Sequence, residues 1–303
     1  MFSEGGPVRV AVIGLGVMGL PMSLNLVAAG FDVVGYTRTP ERGRPLAEAG
    51  GALADSLASA VADAEAVVTV LPDSPDVVEV YTGPGGVLES AAADTLLLDM
   101  STIRPDVARD LHERAEAASM VMLDAPVSGG QAGAQEGALS IMCGGSADAF
   151  RRAQSLLEAM GKTIVLVGGP GSGQTVKAAN QLLVAGTIEL VAEALVFLDA
   201  HDVDLTPAVE VLAGGLAGST VLNRKAASMI SGEFAPGFRV DLHHKDLGIY
   251  REAARQQGVF SPAGALVAEL MASLRAGGGG SLDHSALLTQ VARLSGSTTW
   301  TES

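Results

Sequence analysis

Cysteine is nearly absent from this chain: Cys143 is the one thiol in 303 residues. A single thiol cannot close an internal disulfide, so a disulfide-stapled secreted scaffold is excluded and a reducing, cytoplasmic setting is expected. Cys143 ends the apolar run Ser140-Ile141-Met142-Cys143 and reads as a small buried hydrophobe rather than a nucleophile. Basic charge is also scarce. Nineteen Lys and Arg stand against 34 Asp and Glu, a net charge of −15. Nucleic acids and anionic membranes need a basic footprint, so neither is an expected partner, and the charge reads as solubility. No unbroken run of 18 apolar residues occurs, so no membrane span is expected. The opening segment Met1 to Pro7 carries Glu4 and no basic cluster, so no secretory leader is expected either. What remains is globular: hydrophobic residues make up 48% and charged residues 17%, at a length that suits two domains.

Val8 to Ile13 is a short β-branched run read as a buried strand. A glycine-rich turn follows, then a helix over Pro21 to Ala29, with proline where its missing N–H costs nothing. Val33 to Tyr36 reads as a second strand, and Glu41 to Ala49 as a helix ended by Gly50-Gly51. Further strands are predicted at Ala66 to Val70, Leu96 to Asp99, Met120 to Leu123 and Thr163 to Val167, with helices at Pro105 to Ala118 and Ala149 to Met160. Strands alternating with helices specify an α/β fold, a doubly wound parallel sheet. The alternation stops near Gly168-Gly169-Pro170-Gly171. A long apolar-rich helix, Thr175 to Ala200, and four or five shorter helices follow. The division predicted is a Rossmann-type nucleotide-binding domain over 1–169 and an all-helical substrate and oligomerisation domain over 170–303, joined by that long helix. Gly277 to Gly280 reads as a flexible run, and the polar tail from Ser295 as frayed.

Five segments carry chemistry. Gly14-Leu15-Gly16-Val17-Met18-Gly19 lies between a strand and a helix, the context a dinucleotide fingerprint requires. Gly14 permits the tight turn, Gly16 lets the backbone approach a pyrophosphate, and Gly19 lets helix and strand pack closely. At the end of the second strand, Thr37-Arg38-Thr39 stands where an NAD site usually carries a carboxylate. A guanidinium between two hydroxyls suits a 2′-phosphate, which favours NADP(H) over NAD(H). A solvated Arg38 stacked on adenine would leave both cofactors acceptable. Asp124 to Gly130 follows a strand. Its Ser128 hydroxyl and the backbone of Gly129 and Gly130 could form a nest for a small carboxylate, or simply a turn. Lys177, Asn180 and Gln181 share one face of the long helix. Lys177 is either part of a solvated stripe or an acid beside nicotinamide, giving a proton to a carbonyl oxygen; Asn180 would hold the substrate or orient the lysine. Asp241 to Leu247 contains His243-His244, but neighbours on a helix point about 100° apart. No metal is therefore expected, and the segment reads as a surface helix from which Lys245 could reach the cofactor.

Taken together these residues resemble the β-hydroxyacid dehydrogenases, the family of 3-hydroxyisobutyrate dehydrogenase, over nearly the whole chain. Gly14 to Met22 looks like that family's dinucleotide loop, Asp124 to Gly130 its substrate loop, and Gly173 to Gln181 its catalytic helix. The resemblance implies Lys177 as catalytic acid/base, Asn180 beside the substrate, and Lys245 of Lys245-Asp246-Leu247 closing over the nicotinamide. It also implies Thr102 near the nicotinamide and Leu71-Pro72 packed on the cofactor. Within the family, Gly214 to Leu222 and Asp283 to Leu287 look most like the tartronate semialdehyde (2-hydroxy-3-oxopropionate) reductase branch, which implies reduction of a small semialdehyde to glycerate. The 3-hydroxyisobutyrate oxidation is the alternative within the family. Lys177 argues against the related imine reductases, and a non-catalytic NADP-binding sensor is the alternative of another class. The run Leu182 to Ile188 suggests burial against another subunit, so a homodimer or homotetramer is expected.

Overall fold

The computed structural model describes residues 6–300. They divide into two compact units, up to Lys177 and from Ala178 onward.

In the first unit, five elements open the chain: β1 (Arg9–Ile13), α1 (Gly19–Ala28), β2 (Asp32–Tyr36), α2 (Arg44–Glu48) and β3 (Ala52–Leu53). Next come α3 (Leu57–Val61), β4 (Ala66–Thr69), α4 (Ser74–Thr82), α5 (Val87–Ser90), β5 (Leu96–Asp99), α6 (Pro105–Ala117) and β6 (Val121–Asp124). The unit continues with β7 (Val127–Ser128), α7 (Gly130–Gln135), β8 (Leu139–Gly145), α8 (Ala147–Met160) and β9 (Gly161–Gly168), and ends in the first turns of α9 (Ser172–Asp199). Among the described residues, nine strands form one sheet in the order β3-β2-β1-β4-β5-β6-β8-β7, with β9 on β8. The strands from β3 to β6 pair in parallel. Chain order reverses between β1 and β4, and the crevice outside the carboxyl ends of strands at such a switch point is where open α/β sheets bind ligands.

Alternation along β1 explains the two-sided core. Val10 and Val12 pack with Met22 and Leu26 of α1 and Leu156 of α8. Ala11 and Ile13 face the other way, onto Val77 and Tyr81 of α4 and Leu111 of α6. Fully buried strands need no polar face, so β1, β4 and β5 are continuous apolar runs.

The sheet is mostly parallel, as expected, with antiparallel pairing confined to β8. β8 runs antiparallel to β6 and to β7, pairing Asp124 with Gly144 and Ser128 with Ser140. Its sequence ends in Gly144-Gly145, residues that weaken a strand signal, and the long-range pairing reveals it as a strand. The first helix begins at Gly19 rather than Pro21. The helix expected from Glu41 opens instead as a 3-10 turn at Pro40–Gly43.

The second unit holds the rest of α9 with α10 (Leu205–Gly214), α11 (Thr220–Ser231), α12 (Val240–Gln256), α13 (Pro262–Ala276) and α14 (Leu287–Leu294). Leu195 packs with Leu222, Met229, Leu288 and Trp300, and Ile188 with Val240, Leu247, Met271 and Leu287. Two expectations change here. The glycine run is packed over its second half, where Gly279 is buried and a Cβ on Gly280 would meet the Asp241 carboxylate at 2.6 Å, while Gly277 and Gly278 are exposed. The tail is ordered as far as it is described, because Trp300 is 6% exposed and its Nε1 donates to the Ile230 carbonyl at 3.4 Å. Residues 301–303 of that tail lie outside the described residues. α9 is long and apolar enough, by length and composition, to cross a membrane, with a mean hydropathy of 1.8 over 18 residues. That exceeds the expectation drawn from unbroken runs, yet its buried Gln174, Lys177, Gln181 and Glu189 and its part in two hydrophobic clusters are those of a core helix.

Candidate active site

The glycine loop has the geometry its spacing predicts. Gly14 sits at φ +101°, and a Cβ there would overlap the Val70 carbonyl oxygen, while one on Gly19 would overlap the Gly14 carbonyl oxygen. A Cβ on Gly16 would meet nothing within 4 Å. Two glycines therefore close the turn against β4, and the middle one leaves its backbone open. No side chain caps the first turn of α1, whose N–H groups and dipole favour a phosphate. These residues fit a dinucleotide pyrophosphate.

At the end of β2, Arg38 is 81% exposed, and its Nη2 lies 3.5 Å from Asp76 Oδ1. Thr37 Oγ1 accepts the Thr39 N–H at 3.4 Å. The guanidinium thus faces solvent, with one carboxylate near it.

The ends of β4, β5 and β6 form one hydrogen-bonded cluster. Thr69 Oγ1 donates to Asp99 Oδ1 at 2.8 Å, and the Leu71 N–H donates to Ser101 Oγ at 2.9 Å. Leu71-Pro72 is therefore tied to the loop that carries Thr102. Asp124, fully buried, accepts the Gly171 N–H on Oδ1 at 2.8 Å and the Gln174 N–H on Oδ2 at 2.9 Å. It anchors the start of α9 as an N-cap would. His112 Nε2 lies 3.1 Å from the same Oδ1. Gly144 and Gly173 leave the room this carboxylate needs, since a Cβ on either would approach it within 2.8 Å.

Lys177 is 6% exposed, and its Nζ donates to the Val127 carbonyl at 2.7 Å. Val127 immediately precedes Ser128-Gly129-Gly130, so the structure brings the lysine and the expected substrate loop together. Ser128 is half-buried at the end of β7, and Gly129 and Gly130 adopt φ +140° and +65°. The left-handed backbone at both explains the glycines. Cys143, below this loop, is buried, and burial with the nearby Asp124 charge pushes its thiol up to about 12. It is no nucleophile at neutral pH.

In the second unit, Asn180 Nδ2 donates to Gln181 Oε1 at 2.8 Å, and Gln181 Nε2 donates to Asp246 Oδ2 at 2.6 Å. Lys245 Nζ lies 2.9 Å from Asp246 Oδ1. Asn180 and Lys245 thus belong to one network. The segment around them corrects the surface-helix expectation: His243, Asp246 and Leu247 are buried. His243 Nε2 reaches the Gln181 carbonyl at 3.1 Å, and His243 Nδ1 lies 2.9 Å from His284 Nδ1. Asp283 accepts from Lys225 Nζ, Gly237 N, Phe238 N and the Ser285 N–H and hydroxyl. Burial alone would raise this carboxyl, but the His284 charge, Lys225 and these donors outweigh it and hold Asp283 well below the usual carboxylate range. The Asp283-His284-Ser285 segment is accordingly a packing hub. Among the described residues, no cluster of three or more His, Cys, Asp or Glu side chains is placed to hold a metal ion.

Sequence reasoning missed Gln174, Asp99, His112, Gln181's network and Asp246 as site-building residues. Asp124 and Asp246 stood inside the motifs, and their strand-end and Lys-adjacent positions were the available signal.

The sheet switch point and the closed glycine loop are those of a dinucleotide-binding Rossmann domain, and Lys177 is buried against a glycine-rich strand end beside it. A family model described as the NAD binding domain of 6-phosphogluconate dehydrogenase matches residues 9–169, and one described as NAD-binding of NADP-dependent 3-hydroxyisobutyrate dehydrogenase matches 171–291. The chain is 40% identical to the 2-hydroxy-3-oxopropionate reductase of Escherichia coli K12, over 92% of this chain and 96% of the relative. It is 38% identical to the 3-sulfolactaldehyde reductase of the same organism, over 93% and 95%. The solved 3-hydroxyisobutyrate dehydrogenase of Mycobacterium tuberculosis with L-serine superposes with a TM-score of 0.87 at 35% identity, covering 94% of this chain and 99% of that one. The chain belongs to the β-hydroxyacid dehydrogenase family and is a nicotinamide-dependent oxidoreductase acting on hydroxyl groups.

Proposed function

We propose that this chain reduces a small 2-hydroxy-3-oxo acid, 2-hydroxy-3-oxopropionate being the preferred substrate and glycerate its product, with NADPH favoured over NADH. The observation that carries the reading is the buried Lys177 ammonium 2.7 Å from the Val127 carbonyl, at the edge of Ser128-Gly129-Gly130. In this reading Ser128, Gly129 and Gly130 bind the substrate carboxylate and hold its aldehyde toward Lys177. When bound there, a reduced nicotinamide would supply the hydride for the carbonyl carbon. Lys177 gives a proton from Nζ to the carbonyl oxygen as negative charge develops there, and the hydroxyl product forms. Asn180 orients the substrate. Gly14 to Gly19 with Leu15, Val17 and Met18 cradle the pyrophosphate, and Thr37, Arg38 and Thr39 receive the adenosine 2′-phosphate. Leu71, Pro72 and Thr102 would border a bound nicotinamide, and Lys245 keeps the cofactor role that the family resemblance implies. The two curated relatives reduce a 2-hydroxy aldehyde bearing a carboxylate or a sulfonate, by their names; that shared shape supports the substrate class.

The match to a 3-hydroxyisobutyrate dehydrogenase structure favours a second reading, the oxidation of a 3-hydroxy acid. Purified protein mixed with tartronate semialdehyde and either NADPH or NADH separates them at the reduced nicotinamide band. Rapid oxidation of NADPH alone supports both the reductase and Arg38. Equal use of NADH keeps the reductase and removes Arg38 from specificity. No turnover moves the assignment to 3-hydroxyisobutyrate, assayed oxidatively. Cofactor binding with no turnover of any β-hydroxyacid would leave a nucleotide-binding sensor. The buried lone thiol and the acidic charge support a cytoplasmic setting for this reaction.

A further inference from the structure

Gln174 is 1% exposed and lies one helical turn before Lys177 on α9. Its Nε2 donates to the Ser101 carbonyl at 2.8 Å, and its Oε1 accepts the Ile103 N–H at 3.1 Å. Those two peptide groups flank Thr102. A carboxamide carries a donor and an acceptor in one rigid plane, so it can pair with both as a neighbouring strand would. The backbone of Gln174 is held too, because its N–H donates to Asp124 Oδ2 at 2.9 Å. Ser101 in turn accepts the Leu71 N–H on Oγ, and its own N–H reaches Asp99 Oδ1 at 3.3 Å. One side chain therefore joins the loops after β4 and β5 to the first turn of the helix that carries Lys177. Residues three apart on a helix lie on the same face, so the clamp and the amine share a side of α9.

We propose that Gln174 is a positioning residue that sets the Lys177 amine in register with the Thr102 loop. The proposal rests on the reductase reading for what Lys177 does, but not for whether the clamp exists. A displacement of about 1 Å at a proton donor costs on the order of 10²-fold in rate. A hydrogen bond that only stabilised the fold would leave turnover by the folded enzyme unchanged.

Two variants and one measurement without substrate decide the matter. Gln174→Met keeps the chain length and removes both polar atoms. Gln174→Glu keeps an acceptor and regains a donor only when its carboxyl is protonated. In the cofactor-free wild-type protein, the Ile103 amide is expected to be protected from hydrogen exchange; Gln174→Met should exchange it at least about tenfold faster, and Gln174→Glu, which keeps the acceptor, should keep it protected. At saturating substrate and cofactor, kcat of Gln174→Met should fall about 10- to 100-fold at every pH. The Glu variant should match it at pH 8 and recover toward wild type as pH falls to 5, a rescue that a purely structural role would not produce. Turnover of both folded variants within twofold of wild type overturns the proposal, as does an unprotected Ile103 amide in the wild-type protein. If the wild-type protein reduces no small oxo acid or semialdehyde while Ile103 is protected, the reductase reading falls and the positioning role falls with it, while the clamp stands as a structural feature. A Met variant that fails to fold leaves the pH rescue of the Glu variant, and the wild-type exchange, to decide.

Discussion

Asp99 ends β5 with its two oxygens in different circumstances. Oδ1 accepts from the Thr69 hydroxyl and the Ser101 N–H. Oδ2 is buried with no hydrogen-bond partner among the described residues. Burial pushes this carboxyl up to about 6, and the Asp124 charge adds to the rise while the Ser101 and Thr69 donors oppose it. The native protein therefore holds a proton that the unfolded chain, at about 3.9, releases. The stabilisation is complete below about pH 4 and is lost as pH rises through about 6, a change of up to about 3 kcal/mol. Asp99→Asn keeps the shape of the protonated acid and cannot titrate. Urea unfolding should show the variant gaining about 2–3 kcal/mol on wild type between pH 4 and pH 7.5; a constant difference across that range would mean that Asp99 does not bind a proton on folding. Lys177 makes its prediction at the same scale. In the proposed role, Lys177→Ala should lose about 10²–10⁴ in kcat while retaining a cooperative thermal transition. A tenth or more of wild-type turnover would remove the lysine from the proton transfer.

At the scale of elements, the start of α9 depends on Asp124 at the end of β6. Its carboxylate takes the Gly171 and Gln174 amides and lies beside His112. Asp124→Ala would leave buried donors unpaired at the head of a helix, an expected loss of about 3 kcal/mol. Chemical denaturation measures it, and a loss under about 0.5 kcal/mol, the size of an ordinary surface change, would show that α9 needs no such anchor. This dependence also marks where sequence reading stops. The glycine loop was legible because its steric demands are local: Gly14 and Gly19 answer to each other and to Val70. The strands β1, β4 and β5 were legible because full burial writes itself as an apolar run. The Ser101–Gln174 and Gln181–Asp246 bonds join residues 73 and 65 positions apart, and no periodicity reports such a partner. The same holds for His243, which on spacing alone belongs to a surface helix but lies buried beside His284. Trp300, in a tail rich in Ser and Thr, is held by the Ile230 carbonyl, again a partner far along the chain. The residues that would carry the chemistry were thus found from motifs, and the residues that hold them were found only from the fold.

For the molecule as a whole, the outward face of α9 raises the question of assembly. Leu183, Leu190 and Phe197 are 69%, 64% and 63% exposed, at seven-residue intervals along one helix. Seven residues are close to two helical turns, so the three side chains form a stripe, the pattern by which helices pair with another apolar surface. Within the run Leu182 to Ile188, Ala185 and Ile188 are buried in the second unit's core while Leu183 is not, so the helix offers an inner and an outer apolar face. A chain carrying a net charge of −15 repels its own copies at long range, so association has to come from burial of such surface. A fully buried leucine contributes on the order of 1.5–3 kcal/mol, so three large apolar side chains buried from each of two copies would supply a drive for association, while physiological salt screens the repulsion between exposed charges. We propose a homodimer or homotetramer. Sedimentation velocity at tens of micromolar should show one of these for the wild-type chain, and Leu190→Glu should shift the distribution toward smaller species. A wild-type chain that sediments as a monomer under those conditions would refute the assembly and leave the stripe for another surface; an unchanged oligomer in Leu190→Glu would place the interface elsewhere on the chain.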